Sequence, residues 1–328
     1  MRYRPLGKTG LQVSEIGFGA WGIGGRTVEQ TSYGDTDDRT SLAALDRALE
    51  RGITFFDTSA AYGNGHSEEL IGRAVRGKRS RAVITTKAGY EAWNQAPDFS
   101  PSAIVASTER SLARLGTDYL DLLQLHNPPL DVVTAPAVRE ALAGLVKSGK
   151  IRAWGVSAKG PDEALQALRT CEIAVIQANF NMMDVRVVSS GLLAEVERLG
   201  IGFIARTPLC FGFLSGTIGH DSVFPAGDHR ARWPRAQLAN WVDGAADLMA
   251  SISTSPGEAA AQAALRFCLS FPAVSTTIPG IMKPLEADQN AAASLLGPLP
   301  PQAVEAILEI NRNRRFFVSV KQCPDKAI

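Results

Sequence analysis

Four side chains that can hold or move a proton stand where short apolar runs stop. In Phe55-Phe56-Asp57-Thr58-Ser59-Ala60-Ala61-Tyr62-Gly63 a carboxylate closes an apolar run and a phenol follows five residues later. The run Ala82-Val83-Ile84-Thr85-Thr86 ends on Lys87, and Leu120-Asp121-Leu122-Leu123-Gln124-Leu125 ends on His126. A phenol with an unperturbed pKa of about 10 is a poor acid near neutrality, and a neighbouring ammonium favours the phenolate. Lys87 is therefore expected to bring the Tyr62 pKa down toward the working range. Asp57 is expected to keep Lys87 charged, since a buried lysine without a partner tends to lose its proton. His126 could donate to a substrate carbonyl and polarise it, so that Tyr62 protonates the oxygen as a hydride reaches the carbon. No side chain donates hydride, so this chemistry requires a nicotinamide cofactor.

These residues can meet only if the strand ends converge. From about residue 15, short apolar runs alternate with helical patterns, and strands are expected at 15–19, 54–57, 82–87, 120–126, 152–157, 174–179, 202–206 and 274–278. They are apolar without clean alternation, as parallel strands covered on both faces should be. Eight such βα units predict an α/β fold, a closed (β/α)8 barrel, occupying residues 1–328 as a single domain. In that fold the strand C-termini gather at one rim, which brings Asp57, Lys87 and His126 together.

Helix punctuation supports the alternation. Ser100-Pro101 supplies an N-cap and first turn, Ile104, Thr108, Leu112 and Leu115 mark one face, and Gly116 ends the helix. Leu42, Leu45 and Leu49 line a helix closed by Gly52, and Ser255-Pro256-Gly257-Glu258 reads as a capping box opening a helix that ends before Pro272. Gly7-Lys8-Thr9-Gly10 divides two short segments within 3–13, which suggests a hairpin plugging the barrel bottom. The stretch from Leu209 to about Ser255, after the seventh strand, is too long for an ordinary connection. Rich in Gly, Asp and aromatic residues, it is expected to be a long loop serving as a lid or binding loop.

Composition narrows the partners. The 34 basic and 33 acidic side chains are mixed along the chain for a formal charge of +1, which leaves no large field to recruit nucleic acid or an anionic membrane. Cys171, Cys210, Cys268 and Cys323 are widely separated, and the histidines do not approach metal-ligand spacing, so no metal is expected. The N-terminus has no apolar signal core and no long apolar span occurs elsewhere, which points to reduced thiols and a cytoplasmic location. A small-molecule carbonyl is the expected partner. No pattern in the sequence encodes an oligomeric state.

At these residues the chain resembles the aldo-keto reductase superfamily, from Leu6-Gly7-Lys8-Thr9-Gly10 to the helix after Pro284. The N-terminal wording is similar to bacterial members with β-subunit-like or stress-protein-like sequences. The family's catalytic Asp, Tyr, Lys and His match Asp57 and Tyr62 in D-T-S-A-A-Y-G, Lys87 in T-T-K and His126 in Q-L-H, and Gly65-His66-Ser67-Glu68 resembles the G-x-S-E continuation. The resemblance implies that Ser157 and Gln177 bind the nicotinamide carboxamide and that Arg206 stacks on the ring. It implies that Thr207, Pro208, Leu209, Gly212, Leu214 and Gly216 wrap the pyrophosphate. It places Gly280, Met282, Lys283, Glu286, Gln289 and Asn290 at the adenosine half. Gly19, in the glycine-rich run 17–25, joins the implied cofactor contacts, although that run is not a Rossmann fingerprint.

Two departures matter. Ala158 stands where the family usually has Asn after the G-V-S serine, leaving Ser157 and Gln177 to hold the carboxamide. Met282 replaces a basic residue of many relatives, and Glu286 falls where some place Arg. An acid there disfavours a 2′-phosphate or accepts a bond from a free 2′-hydroxyl. The resemblance favours NADP(H), with NAD(H) open. Trp21 and Tyr90 are expected to line the substrate pocket, with Trp93, Phe211 and the loop carrying His229 and Arg232 as further candidates. The expected activity is reduction of an aldehyde or ketone. The alternatives are an NAD-dependent sugar or polyol dehydrogenase, a cofactor-binding regulatory subunit of the potassium-channel β type with little turnover, and, more weakly, an aldolase using Lys87 as a Schiff base.

Overall fold

The computed structural model describes residues 1–28 and 32–318; Cys323 lies outside the described residues. An antiparallel hairpin of β1 (Tyr3–Pro5) and β2 (Gln12–Ser14) precedes eight parallel strands. These are β3 (Phe18–Gly19), β4 (Phe55–Asp57), β5 (Val83–Ala88), β6 (Leu120–His126), β7 (Ile151–Ser157), β8 (Val175–Asn179), β9 (Gly202–Arg206) and β10 (Val274–Ile278), each paired with the next in sequence order. The sheet closes between its first and last strands through Ile16 with Thr277 and Gly19 with Gly280, where Gly17 N donates to Thr277 O at 2.8 Å and Gly19 N to Pro279 O at 2.9 Å. The result is a (β/α)8 barrel with helices between the strands.

Alternation along the strands explains why they read as plain apolar runs. Phe55, Leu122, Val175 and Ile204 share an inner cluster, while their chain neighbours Phe56, Leu123, Ile176 and Ala205 pack outward beneath the helices. Both faces are therefore dry, and the alternation is hidden until the inner face turns polar. One inner position further along each strand lie Asp57, Gln124, Gln177 and Arg206. The same twofold period that fills the barrel thus delivers the polar groups to its mouth.

Helix ends follow their local chemistry. Ser100 Oγ accepts from Ala103 N at 3.3 Å to open Pro101–Leu115, and Gly116 closes that helix in the left-handed region. Asp37 caps Asp38–Glu50 through Thr40 N at 2.8 Å. Two expectations need correction. The stretch 209–255 is not one loop, because Arg235–Ala250 forms a helix within it, burying Trp241 and Leu248 against the outer core. Ser255 and Glu258 form a turn rather than a helix start: Glu258 Oε2 accepts from Ser255 N, its other oxygen pairs with Arg266, and the helix begins at Ala260 with Gln262 Oε1 accepting from Ala259 N. The glycine at 257, in the left-handed region, delays helical geometry by one turn.

The hairpin closes the barrel bottom. Leu6, Leu11 and Val13 join the inner cluster, with Leu6 against Gly202 at the start of β9. Gly7 has φ +54, and a Cβ there would fall 2.2 Å from Gly202 N. Gly7→Ala should lower unfolding free energy by about 2–4 kcal/mol, combining left-handed strain with a backbone clash. Urea denaturation with an unchanged m-value checks this.

Candidate active site

Lys87 lies at the centre of the rim with its ammonium fully engaged. Its Nζ donates to Asp57 Oδ1 at 2.5 Å, to Thr58 O at 2.8 Å and to the Tyr62 hydroxyl at 3.2 Å. The side chains of Lys87 and Asp57 are 0% and 3% exposed, so neither charge has water as a substitute partner. Asp57 Oδ2 in turn accepts from Gln177 Nε2 at 2.7 Å and from Gln124 Nε2 at 3.3 Å. Such complete pairing is what makes a buried ion pair tolerable.

Tyr62 is placed by the backbone that follows it. Gly63, Asn64 and Gly65 all have positive φ, and a Cβ on Gly63 would fall 2.1 Å from Gly24 O. The turn therefore docks directly on the loop after β3, and the helix His66–Val75 starts immediately afterwards. Glu68 on that helix is fully buried between Thr86 Oγ1 and Arg114 Nε, both at 2.5 Å, which ties the helix to β5 beside Lys87.

His126 lies edge-on to Tyr62 at 6.1 Å between ring centroids, with Tyr90 at 5.5 Å and Trp93 at 5.2 Å on other sides. Its Nδ1 is 3.3 Å from Ser59 Oγ. Burial, reinforced by the Lys87 and Arg206 charges, holds the imidazole well below its ordinary 6.5, so it is neutral. For Lys87 burial opposes the charge, but Asp57 and Tyr62 outweigh it and the ammonium pKa is raised. The expectation for Tyr62 is reversed. Burial raises its pKa above 10.0 and the Asp57 charge adds to that, while Lys87 and Arg206 offset only part. The phenol is held as an acid, not as a phenolate.

The residues matched to cofactor contacts fall in two groups on this rim. Ser157 Oγ donates to Gln177 Oε1 at 3.0 Å, beside Arg206, whose Nη2 donates to Ala158 O at 3.0 Å. Thr207, Pro208, Leu209, Gly212, Leu214 and Gly216 form the turn after β9; Thr207 is in the left-handed region, as are Cys210, Phe211 and Gly212. Leu214 buries its side chain in the outer core, so only its main chain is available to a ligand. Gly280, Met282, Lys283, Glu286, Gln289 and Asn290 follow β10, across the seam from Gly19. The residues fit a nicotinamide nucleotide. Gln177 uses one amide N–H for Asp57 and keeps the other, and Arg206 Nε is a buried donor with no partner among the described residues.

Tyr90 packs on His126, and Trp21 packs on Tyr33 at 5.1 Å and on His229 at 4.8 Å. His229 belongs to a strap at 228–233, which bridges to Ser32 and Tyr33 across the mouth, His229 N donating to Ser32 O at 2.9 Å. Phe211 and Trp233 complete an aromatic box around its ring, and both ring nitrogens are without hydrogen bonds among the described residues. Gln124 and Ser59 escaped the sequence reading. A glutamine inside the apolar run Leu-Leu-Gln-Leu-His was the available signal for the first; the serine in D-T-S gave none beyond its position.

A family model described as "Aldo/keto reductase family" matches residues 15–312. The chain is 31% identical over 319 residues to the Aldo-keto reductase YhdN of Bacillus subtilis, covering 94% of each. It is similar to the holo form of aldo-keto reductase AKR11C1 from Bacillus halodurans, with a TM-score of 0.76 and 27% identity over 94% of this chain and 96% of that one. It is also similar to an aldo/keto reductase from Klebsiella pneumoniae solved in complex with NADP and acetate, with a TM-score of 0.69 and 25% identity over 95% and 96%.

The strap carries a pH dependence. Burial pushes His229 from 6.5 down to about 4, with Asp228 opposing and Arg230 and Arg232 adding to the shift. Below 6.5 the unfolded chain takes up a proton that the folded ring refuses, so stability falls with pH between 6.5 and about 4 and not further below. His229→Phe should remove a share of that loss of at most about 3 kcal/mol. Urea unfolding at several pH values in this window reads it directly; equal acid sensitivity of the two proteins would contradict it.

Proposed function

The chain belongs to the aldo/keto reductase family and is an NAD(P)H-dependent oxidoreductase, and we propose that it reduces an aldehyde or ketone to an alcohol with Tyr62 as the general acid. The observation that carries the assignment is the single Lys87 ammonium shared between Asp57 at 2.5 Å and the Tyr62 hydroxyl at 3.2 Å, beside His126. The nicotinamide, when bound, supplies the hydride. Ser157, Gln177 and Arg206 are the residues that would hold it.

The residues divide the remaining work. Ser59 Oγ accepts from Ala61 N at 3.2 Å, which leaves its hydroxyl proton to donate to His126 Nδ1. A neutral imidazole then carries its proton on Nε2 and can donate to the carbonyl oxygen, as the low His126 pKa supports. Tyr62 stays protonated because burial raises its pKa, so it is charged with a proton throughout the neutral range. As that proton moves to the carbonyl oxygen, negative charge develops on the phenol oxygen against Lys87. The ammonium is worth more there than in the ground state, which is the condition for lowering a barrier. Asp57 acts through Lys87 by keeping it charged. A Schiff-base role for Lys87 is disfavoured, because its raised pKa withholds the nucleophilic amine.

Tyr62→Phe should reduce single-turnover hydride transfer by about 10²–10⁴-fold while nucleotide binding is kept, the range for loss of a positioned acid. Retained turnover would remove Tyr62 from the acid role. The pH profile should be asymmetric. Reduction by the wild type should hold through neutrality and decline only above the ordinary phenol value of 10.0, whereas oxidation of an alcohol, which needs the phenolate, should climb with pH over the same range.

A further inference from the structure

The helix Pro284–Leu296, which follows β10, begins with its own carboxylate in place. Glu286 Oε2 accepts from Met282 N at 2.7 Å and from Lys283 N at 3.2 Å. Main-chain N–H groups at a helix start are a natural seat for a phosphate, favoured further by the helix dipole. Here a side chain of the same helix already takes two of them and places a negative charge at that end. Glu286 Oε1 makes no hydrogen bond among the described residues and is left as an acceptor.

The surroundings offer a second negative group little compensation. Met282 is apolar and folds against the loop after β3, where a Cβ on Gly22 would fall 2.8 Å from its Cγ. At the end of the neighbouring helix, Arg47 binds Asp288 at 2.7 and 3.1 Å and Glu50 at 3.0 Å, and Arg51 binds Asp288 at 2.5 Å, so the two guanidinium groups are already matched by two carboxylates. Lys283 is exposed, where water and salt weaken its pull on an anion.

We infer that Glu286 sets the choice of nucleotide: the adenosine ribose held beside it carries a free 2′-hydroxyl that donates to Oε1, and a 2′-phosphate is repelled, so NAD(H) binds more tightly than NADP(H). This rests on the reading that residues 280–290 receive the adenosine half of the cofactor. It runs against the NADP(H) preference that the family resemblance favours. The physical ground is that a carboxylate accepts from a hydroxyl but has no proton to offer a phosphate, and two like charges within contact distance oppose binding.

Equilibrium binding separates the possibilities without relying on turnover. Dissociation constants for NADH and NADPH would be measured by tryptophan fluorescence on the full chain, and by calorimetry with ADP-ribose and its 2′-phosphate, which lack the nicotinamide. The wild type should bind the unphosphorylated member of each pair about tenfold more tightly or better, the scale of one unfavourable charge contact. Glu286→Gln keeps an oxygen to accept the Met282 and Lys283 amides but removes the charge, and should tighten the phosphorylated member by about 5–10-fold with the other changed by less than about threefold. Met282→Arg leaves the helix start untouched and should move the ratio the same way. A wild-type preference for NADPH, or a ratio unmoved in both variants, overturns the inference while leaving the reductase reading intact. Failure of every nucleotide to bind overturns both.

Discussion

The buried ion pair between Lys87 and Asp57 is the constraint around which the rim is organised. Two charges withdrawn from water cost several kcal/mol each unless every donor and acceptor is matched. Here the matching is complete: three protons on Lys87 meet Asp57, Thr58 O and Tyr62, and the far oxygen of Asp57 meets two glutamine amides. Removing either charged partner would leave the other buried and alone, a loss of about 3–5 kcal/mol. The pair therefore fixes not only its own geometry but that of Gln124, Gln177 and the Tyr62 turn.

That requirement reaches back into the barrel. The inner faces of β4, β6 and β8 change from Phe55, Leu122 and Val175 to Asp57, Gln124 and Gln177 in a single step of the pleat, so apolar packing below stiffens the polar layer above. The hairpin keeps the lower layer dry from beneath. Above, the turn at Gly63 is held against Gly24 too closely for any side chain, which puts the phenol within reach of an ammonium that cannot itself move. Packing, backbone geometry and charge pairing thus converge on one position for the Tyr62 oxygen.

The barrel and its proton-transfer residues were legible in the sequence because their signals are local: an apolar run, its polar last residue, a glycine after a helix. Seven of the eight strands came within a residue of their expected ends, and β3 is shorter because Ile16 makes only an isolated bridge across the seam. What escaped depends on contacts between distant segments. Gln124 gains its meaning only from Asp57 on another strand, and Ser59 only from His126. The helix Arg235–Ala250 was hidden in a stretch whose glycines, aspartates and aromatics suggested a loop, since its stability comes from Trp241 and Leu248 packing on the core rather than from its composition. The sign of the Tyr62 shift was missed for a related reason: spacing reveals a neighbouring lysine but not how deeply the phenol is buried.

That sign changes how the rim should be understood. Lys87 and Arg206 bring two positive charges near Tyr62 and His126, against the single carboxylate of Asp57. If charge alone decided, the phenol would ionise early; burial outweighs it, because removing water penalises the phenolate more than the two cations stabilise it. The same excess of positive charge, acting together with burial, keeps His126 neutral. A single environment therefore holds one group as a loaded acid and the other as an uncharged donor, and both states suit a carbonyl oxygen that gains negative charge. Both cations stabilise that charge as it develops. At the start of the helix after β10 the local charge has the opposite sign, since Glu286 places a carboxylate there that accepts from Met282 N and Lys283 N. On the inference that this helix start receives the adenosine half, a nucleotide would meet positive charge at its reacting end and negative charge at its adenosine end, and one without a 2′-phosphate matches that gradient best.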